Sequence, residues 1–387
     1  MKINIVGGGP AGLYFGILMK KADPRHDITI LERDGPNDTF GWGIVFSDKM
    51  QSYLRDHDAE SHARITAKFQ LWDNVDVIHR GVKTSIGGNR FAGIGRLAFL
   101  NIFHERCREL GVRIEFQHNV GPSGLDALQD CDLFIGADGA NSLVRRHFAG
   151  AFRPTVDVRR NRYIWLGTQH LFTGLTLTFK QHDTGVYAAH SYRFSESHST
   201  FIVECPDATW NAAGFADMDD ERACVFLADV FRDELCGRPL LSNNFVKWLR
   251  FPIVKNARWI DDHRVLLGDA LHTAHFSIGS GTRLALEDAI ALYQAIRNRP
   301  SVPAALAEFE RARKPVVDEL QEAALSSLLW FENFGDRLHL DPLPFAYEIM
   351  TRSGRIDHEG LRQRDPKFVA AYERWRADHA ANEPRNS

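Results

Sequence analysis

Residues 2–32 read KINIVGGGPAGLYFGILMKKADPRHDITILE, and the fold turns on this stretch. The β-branched run KINIV stops at three glycines, and the chain resumes as LYFGILMKKA, whose apolar residues recur at helical spacing. Gly7, Gly9 and Gly12 therefore match G-x-G-x-x-G between a strand and a helix. In that pattern the first glycine permits the tight turn. The second lets the backbone approach a pyrophosphate, and the third lets the helix pack close to the sheet. Pro10 is tolerated at the first helical position, where an amide would lack an intrahelical acceptor, and Ala11 completes the turn. The helix N-terminus then faces the negative charge. The next strand, DITILE, ends at Glu32, whose carboxylate is placed to accept from a ribose diol, with Arg33 beside it. An α/β, Rossmann-like dinucleotide fold follows, and at this point NAD and FAD are equally compatible with it.

Composition narrows the class. The chain has 387 residues, 44% hydrophobic and 25% charged, which is ordinary for a soluble globular protein of one large or two moderate domains. A formal net charge of −3 gives no bulk attraction to nucleic acid. Cys107, Cys131, Cys205, Cys224 and Cys236 are scattered, with no C-x-x-C pair, so neither a disulfide framework nor a metal site is expected. No cationic leader or apolar run of membrane-spanning length is read, and a cytoplasmic protein is expected.

Two further anchors lie downstream. CDLFIGADGANSLVR (131–145) begins as an unalternating buried strand and turns at Asp138-Gly139. It then opens a helix with Asn141 or Ser142 as cap. RVLLGDALHTAHFSIGSG (264–281) is another buried strand, running into Asp269, two histidines and the turn Gly279-Ser280-Gly281. Between the first two anchors, GIGRLAFLNIFHERCRELGV carries an apolar stripe at Leu97, Leu100 and Phe103, with Arg96 before it and Gly111 after it. Taken in this order, GGGPAG, Arg96, GADGANSLVR and GDALH resemble the class A flavoprotein aromatic hydroxylases of the para-hydroxybenzoate hydroxylase superfamily. The resemblance implies non-covalent FAD. Asp138 lies near its pyrophosphate, Asp269 at its ribityl chain, Arg96 near the pyrophosphate, and the Gly279–Gly281 backbone against the isoalloxazine. One departure stands out: His275-Phe276 occupies the place where many relatives carry a proline pair, and this leaves the wall of the catalytic pocket open. His272 reads as structural or cofactor-adjacent.

The spacing of the anchors makes the FAD-binding domain discontinuous, at 1–75, 92–155 and 255–300. Residues 76–91 and 156–254 form an inserted, sheet-rich substrate domain, with strands at RYIWLGTQHLF, LTLTFKQH, GVYAAHSYRF and STFIVEC. A helical region follows at 301–350, bent or interrupted at Pro315, and 351–387 reads as a polar tail.

GWGIVFSD, RNRYIWLGT, STFIVEC and HFSIGSGTRLALEDAIAL look more specific than the superfamily. They resemble the aryl-coenzyme A hydroxylases: the salicylyl-CoA 5-hydroxylases and the hydroxylase part of 2-aminobenzoyl-CoA monooxygenase/reductase. They are also similar to the flavin hydroxylase of violacein biosynthesis. The resemblance implies a single-component monooxygenase that takes NADH or NADPH as a transient reductant and needs no reductase partner. It would transfer one atom of O2 through a flavin C4a-hydroperoxide to an electron-rich ring, with salicylyl-CoA giving gentisyl-CoA. A free aromatic or an indole is the alternative substrate, and an oxidoreductase without oxygen insertion is the second alternative. His190, His275 and Tyr187 are the candidates for activating the ring. Arg159, Arg160 and Arg162 are either a contact for the CoA phosphates or a solvated face.

Overall fold

A computed structural model describes residues 1–243 and 247–382. The G-x-G-x-x-G strand, Lys2–Val6, lies inside a six-stranded sheet. Asp27–Leu31 and Arg113–Glu115 follow on one side. Leu133–Gly136, Arg264–Leu266 and Ile260–Asp261 follow on the other. All neighbours pair in parallel except the Ile260–Asp261 hairpin. Burial on both faces explains the unalternating runs: Ile3, Ile5, Ile30, Leu133, Phe134 and Ile135 are all sealed. The helices Pro10–Ala22, Arg96–Leu110 and Gly281–Asn298 pack as neighbours in the core this sheet anchors. On Arg96–Leu110 the buried stripe is Phe99, Leu100, Ile102, Phe103 and Cys107. Leu97, expected in that stripe, is only half-buried.

The second sheet has eight strands. Pro154–Thr168, Ser199–Cys205, Gly185–Arg193 and Leu175–His182 run antiparallel, Val75–His79 and Val82–Ile86 extend one edge, and Leu249–Asn256 pairs the first half of Pro154–Thr168. Period two divides its residues. Ile164, Leu166, Tyr187, Ala189, Phe201 and Val203 meet Ala223, Cys224 and Leu227 of helix Asp220–Val230 in an outer core. Leu177, Phe179 and Ala188 on the opposite face meet Phe331, Phe334 and Phe345 from the C-terminal helices. Gly43–Ser47, Phe91–Gly95 and Gln70–Trp72 make a small third sheet.

Two expectations are corrected. Of the bend or interruption expected at Pro315, the interruption does not occur: helix Val302–Glu332 runs unbroken, because the carbonyl left unbonded belongs to Arg311, which is exposed and can be hydrated. The segment from 351 is not a polar tail. Helices His358–Arg364 and Pro366–Asn382 bury Leu361, Phe368 and Val369 in the core shared with Phe345. The Asp365 carboxylate also accepts from the Gly87 amide at 2.8 Å. Frequent charges mask a narrow apolar stripe there. Residues 383–387 lie outside the described residues.

Candidate active site

The first turn is built by exclusion. Gly7 has φ +109°, and a Cβ there would lie 2.3 Å from Ala137 O; a Cβ at Gly12 would lie 2.5 Å from Gly7 O. Gly9 differs, since its nearest neighbour would be 4.0 Å away, and this leaves room for a ligand to approach the backbone. Helix Pro10–Ala22 starts there without a side-chain cap, so its first amides remain free to meet an anion. Glu32 is aimed by two amides: Oε2 accepts from Gly8 N at 2.6 Å and Oε1 from Asp34 N at 2.9 Å. Arg33 is on the exposed rim, 3.3 Å from Asp34 and 6.0 Å from the Phe40 ring.

Asp269 follows strand Arg264–Leu266 in a 3₁₀ turn. Its side chain is accessible to solvent, yet protein surrounds it, so it lines a deep cleft. That enclosure pushes its carboxyl pKa up, against the pull of His272, Arg96 and Arg145. Behind it, the buried Asp288 carboxylate takes Arg313 Nε at 2.8 Å and Gly268 N at 3.3 Å. His272 Nε2 lies 2.8 Å from Asp288 but is not aligned for a hydrogen bond, so His272 packs against this scaffold without bonding it. Arg96 is enclosed with no protein hydrogen-bond partner for its guanidinium among the described residues, and its Nε is sealed. An enclosed, unpartnered guanidinium beside Asp269 is costly unless an anion meets it.

Asp138, expected near the pyrophosphate, has its carboxylate engaged by the chain itself. Its Oδ2 accepts from Leu143 N and Val144 N at 2.6 and 3.1 Å, and its Oδ1 accepts from Ser142 Oγ at 2.5 Å, so the carboxylate caps a turn. Of the two candidate caps, Ser142 holds Arg145 N at 2.9 Å. Arg145, which the sequence reading passed over, is buried and donates to Ala270 O at 2.9 Å and to Ala140 O, tying this loop to the Asp269 turn. Gly279 has φ +60°, and a Cβ at Gly279 or Gly281 would meet nothing, so both leave space over the N-terminus of helix Gly281–Asn298. Ser280, its N-cap, donates its hydroxyl to Ile278 O at 3.2 Å and leaves the first amides uncapped. Two uncapped helix starts, an acid aimed at a diol position and an unpartnered guanidinium fit a flavin adenine dinucleotide.

The eight-stranded sheet closes over this cleft. Tyr163, Trp165, His190, Ile202 and Glu204 share one face by strand pairing. Phe276, in the place of the family's second proline, packs against Tyr163 at 5.0 Å and His190 at 5.2 Å. Burial, then Asp269 and Glu204, push the Tyr163 phenol up to about 12. Among the expected catalytic residues only His190 is on this face. Tyr187, three positions earlier, falls on the other face, where it bonds Thr184 Oγ1 at 2.6 Å in the outer core. His275 is occupied by Ser277, with Nδ1 2.8 Å from its Oγ, and burial lowers its pKa to about 4, which makes it a poor base at neutral pH. Arg352 holds this loop from the far side, donating to Ser277 O at 2.7 Å and Ser327 Oγ at 2.8 Å.

The three arginines do not form one anion site. Arg159 grips the buried Glu332 at 2.6 Å. Arg162 bonds Asp207 at 2.7 Å and lies 3.9 Å over the Trp210 ring, and Arg160 alone is exposed. Glu204 and Tyr163 were missed. For Glu204 the signal was present, as the single acid in the apolar run STFIVEC. Among the described residues no cluster of His, Cys, Asp or Glu could hold a metal, and no helix is long and apolar enough to cross a membrane.

Known proteins agree with the geometry. A family model described as an FAD binding domain matches residues 1–324. The chain is 39% identical to a salicyloyl-CoA 5-hydroxylase of Streptomyces, over 98% of this chain and 74% of that protein. It is 36% identical to a 3-hydroxy-4-methyl-anthranilyl-[aryl-carrier protein] 5-monooxygenase of Streptosporangium sibiricum, over 93% and 97%. With a protodeoxyviolaceinate monooxygenase of Chromobacterium violaceum it shares 34%, over 91% and 94%. The structure of 2-methyl-3-hydroxypyridine-5-carboxylic acid oxygenase superposes with a TM-score of 0.71 at 19% identity, over 94% and 97%, which supports the fold. An FAD cradle roofed by an aromatic-walled sheet, with these matches across nearly its whole length, shows that the chain belongs to the FAD-binding-domain family and, within it, to the class A FAD-dependent aromatic-ring monooxygenases.

Proposed function

We propose that this chain hydroxylates an aromatic ring presented as a coenzyme A thioester, salicylyl-CoA at position 5 to give gentisyl-CoA, consuming O2 and NADH or NADPH in the cytoplasm. The observation that carries this reading is the 39% identity to the salicyloyl-CoA hydroxylase across 98% of the chain. Gly9, Glu32, Arg96, Asp269 and the Gly279–Gly281 amides would hold FAD, and bound FAD supplies the oxygen activation. The chain's own residues orient the ring and exclude water. Tyr163, Trp165 and Phe276 offer a largely apolar wall, and a thioester brings no carboxylate charge to desolvate against it. The CoA portion would supply binding energy remote from the ring.

The similarity to the violacein-pathway enzyme favours an indole as the second reading. The test uses FAD-loaded enzyme, each nicotinamide in turn, and salicylyl-CoA, free salicylate and an indole under heavy-oxygen O2. One labelled oxygen in gentisyl-CoA is expected. Turnover of the free acid or the indole with none of the thioester overturns the substrate assignment, and oxygen drawn only from water overturns the chemistry.

A further inference from the structure

Glu204 is an isolated buried carboxylate, 1% exposed, on a strand whose other residues on that face are Ile202 and Thr200. Pairing sets it between Tyr163 and Ala188. One oxygen is fixed by a neutral donor, Asn161 Nδ2 at 2.8 Å, which also donates to Phe331 O. The other lies 3.4 Å from His190 Nε2. His190, 4% exposed, is held between Phe276 at 5.2 Å and Phe331 at 4.7 Å.

The other groups facing this pair are committed elsewhere. His275, on the flavin loop, is kept neutral and bound to Ser277. Arg352, after helix Pro342–Thr351, donates to Ser277 O, Ile349 O and Ser327 Oγ. Arg159, on the neighbouring strand, is paired with Glu332, and Tyr163 is a phenol held in its neutral form. Glu204 thus has His190 as its one hydrogen-bonded ionisable partner among the described residues. Burial alone would push its carboxyl up, but the hydrogen bonds from His190 and Asn161 hold it below the usual range. A carboxylate on Nε2 selects the tautomer that donates from Nε2 and leaves the Nδ1 lone pair free. No protein group among the described residues meets Nδ1, and it is not sealed.

We propose that Glu204 is a positioning residue that makes His190 the acceptor of the proton on the substrate's ring hydroxyl or amine. The inference rests on hydroxylation of a ring bearing such a group. In the step the ring O–H or N–H bond breaks, an Nδ1–H bond forms, and no electron changes hands. The ring becomes more electron-rich, as attack on an electrophilic oxygen requires. The imidazolium formed is stabilised by Glu204, which turns the cost of burying that carboxylate into differential stabilisation of the reacting state.

The experiment titrates salicylyl-CoA bound to the oxidised holoenzyme, following phenolate absorbance as a difference from holoenzyme alone. The bound phenol should ionise about one to two pH units below the free thioester. Glu204→Gln should move that titration back toward the free value. It should shift the acid limb of kcat upward by a similar amount while KM changes little. His190→Gln should do the same, and the double variant should add nothing further. Equal titrations in wild type and Glu204→Gln, with turnover intact, overturn the inference. If Glu204→Gln does not retain FAD, His190→Gln carries the test under the same criterion. If no aryl thioester is turned over, the substrate reading fails separately, and the titration is repeated with the ring that is turned over.

Discussion

Replacing Arg159 by alanine is expected to lower the unfolding temperature of the protein and to leave KM for the proposed coenzyme A thioester unchanged. Glu332 is 2% exposed and its arginine 16%. Among the described residues Oε2 of Glu332 has only Arg159 Nη2, at 2.6 Å, while Oε1 takes Arg159 Nε at 3.3 Å and the Arg160 amide at 2.8 Å. The substitution strips one oxygen bare and leaves the other on one amide. Removing one partner of a buried pair costs roughly 3–5 kcal/mol, and the partial exposure of the arginine argues for the lower end, about 3 kcal/mol. Unfolding entropy of about 2.1 cal/mol/K per residue amounts, for a chain of this length, to about 0.8 kcal/mol/K, so Tm should fall by about 4 °C. The assay is thermal unfolding of the holoprotein, read by tryptophan fluorescence and by flavin release. Glu332→Gln in the Arg159→Ala background should recover part of the loss, because a neutral amide replaces a bare charge. Arg160→Ala should stay close to wild type in Tm. The KM ratio for salicylyl-CoA against a truncated pantetheine thioester should not change in Arg159→Ala. An unaltered Tm with a KM raised for the CoA substrate alone would refute this account and return Arg159 to the phosphates.

Glu32→Ala should weaken FAD retention about 10- to 100-fold in equilibrium dialysis, the equivalent of a charged hydrogen bond of roughly 1.5–3 kcal/mol, and unchanged retention would remove Glu32 from the ribose site. Tyr187→Phe should cost about 1 kcal/mol in urea unfolding through the lost Thr184 bond, with kcat unaltered; a large fall in kcat would contradict its outer placement. Phe368→Ala should destabilise by roughly 3–5 kcal/mol, and a change below about 0.5 kcal/mol would show the C-terminal helices to be undocked. His275 is held neutral with a pKa of about 4, against an ordinary value near 6.5. Between those values the unfolded chain binds the extra proton, so this contribution is complete above about pH 6.5 and is lost as pH falls toward 4. His275→Gln should therefore flatten the acid side of the stability profile by up to about 3 kcal/mol, with His104, shifted the same way, accounting for acid sensitivity that persists. An unchanged slope would exclude His275.

The nucleotide fold was legible because its constraints are local. Gly7 needs a positive φ and cannot carry a Cβ, and Glu32 must end the second strand; both conditions show as residue types at fixed spacing. The wall of the site was harder to read. His190 and Tyr187 are equally plausible by chemistry, and only the pleat separates them: an offset of three places them on opposite faces. VRRNR reads as a basic patch until tertiary structure supplies Glu332, 173 residues beyond Arg159, and Asp207. Arg352 lay in a stretch whose charge density concealed its buried face, and only folding brings it to the flavin loop.

GWGIVFSD shows how a motif can bear on function without touching substrate. A Cβ at Gly41 would lie 2.8 Å from the Trp165 indole, and one at Gly43 would lie 2.5 Å from Phe194 Cβ. Across the seam, a Cβ at Gly167 would lie 2.5 Å from the Trp42 indole. Each indole therefore lies on a glycine of the opposing segment. Polar contacts fix the register of this lock: Gly43 N donates to Thr200 Oγ1 at 2.9 Å, and Tyr192 OH donates to Gly43 O at 2.7 Å. Arg96 N donates to Trp42 O at 2.8 Å, which carries the same lock to the unpartnered guanidinium in the cofactor cleft. The strands bearing Tyr163, His190 and Glu204 are thereby held at one height above the Asp269 turn and the Gly279–Gly281 loop. A misplacement of about 1 Å can cost about 100-fold in rate. Close packing at these glycines sets that height, so the motif would act on a reaction in the cleft without any of its glycines touching the ring.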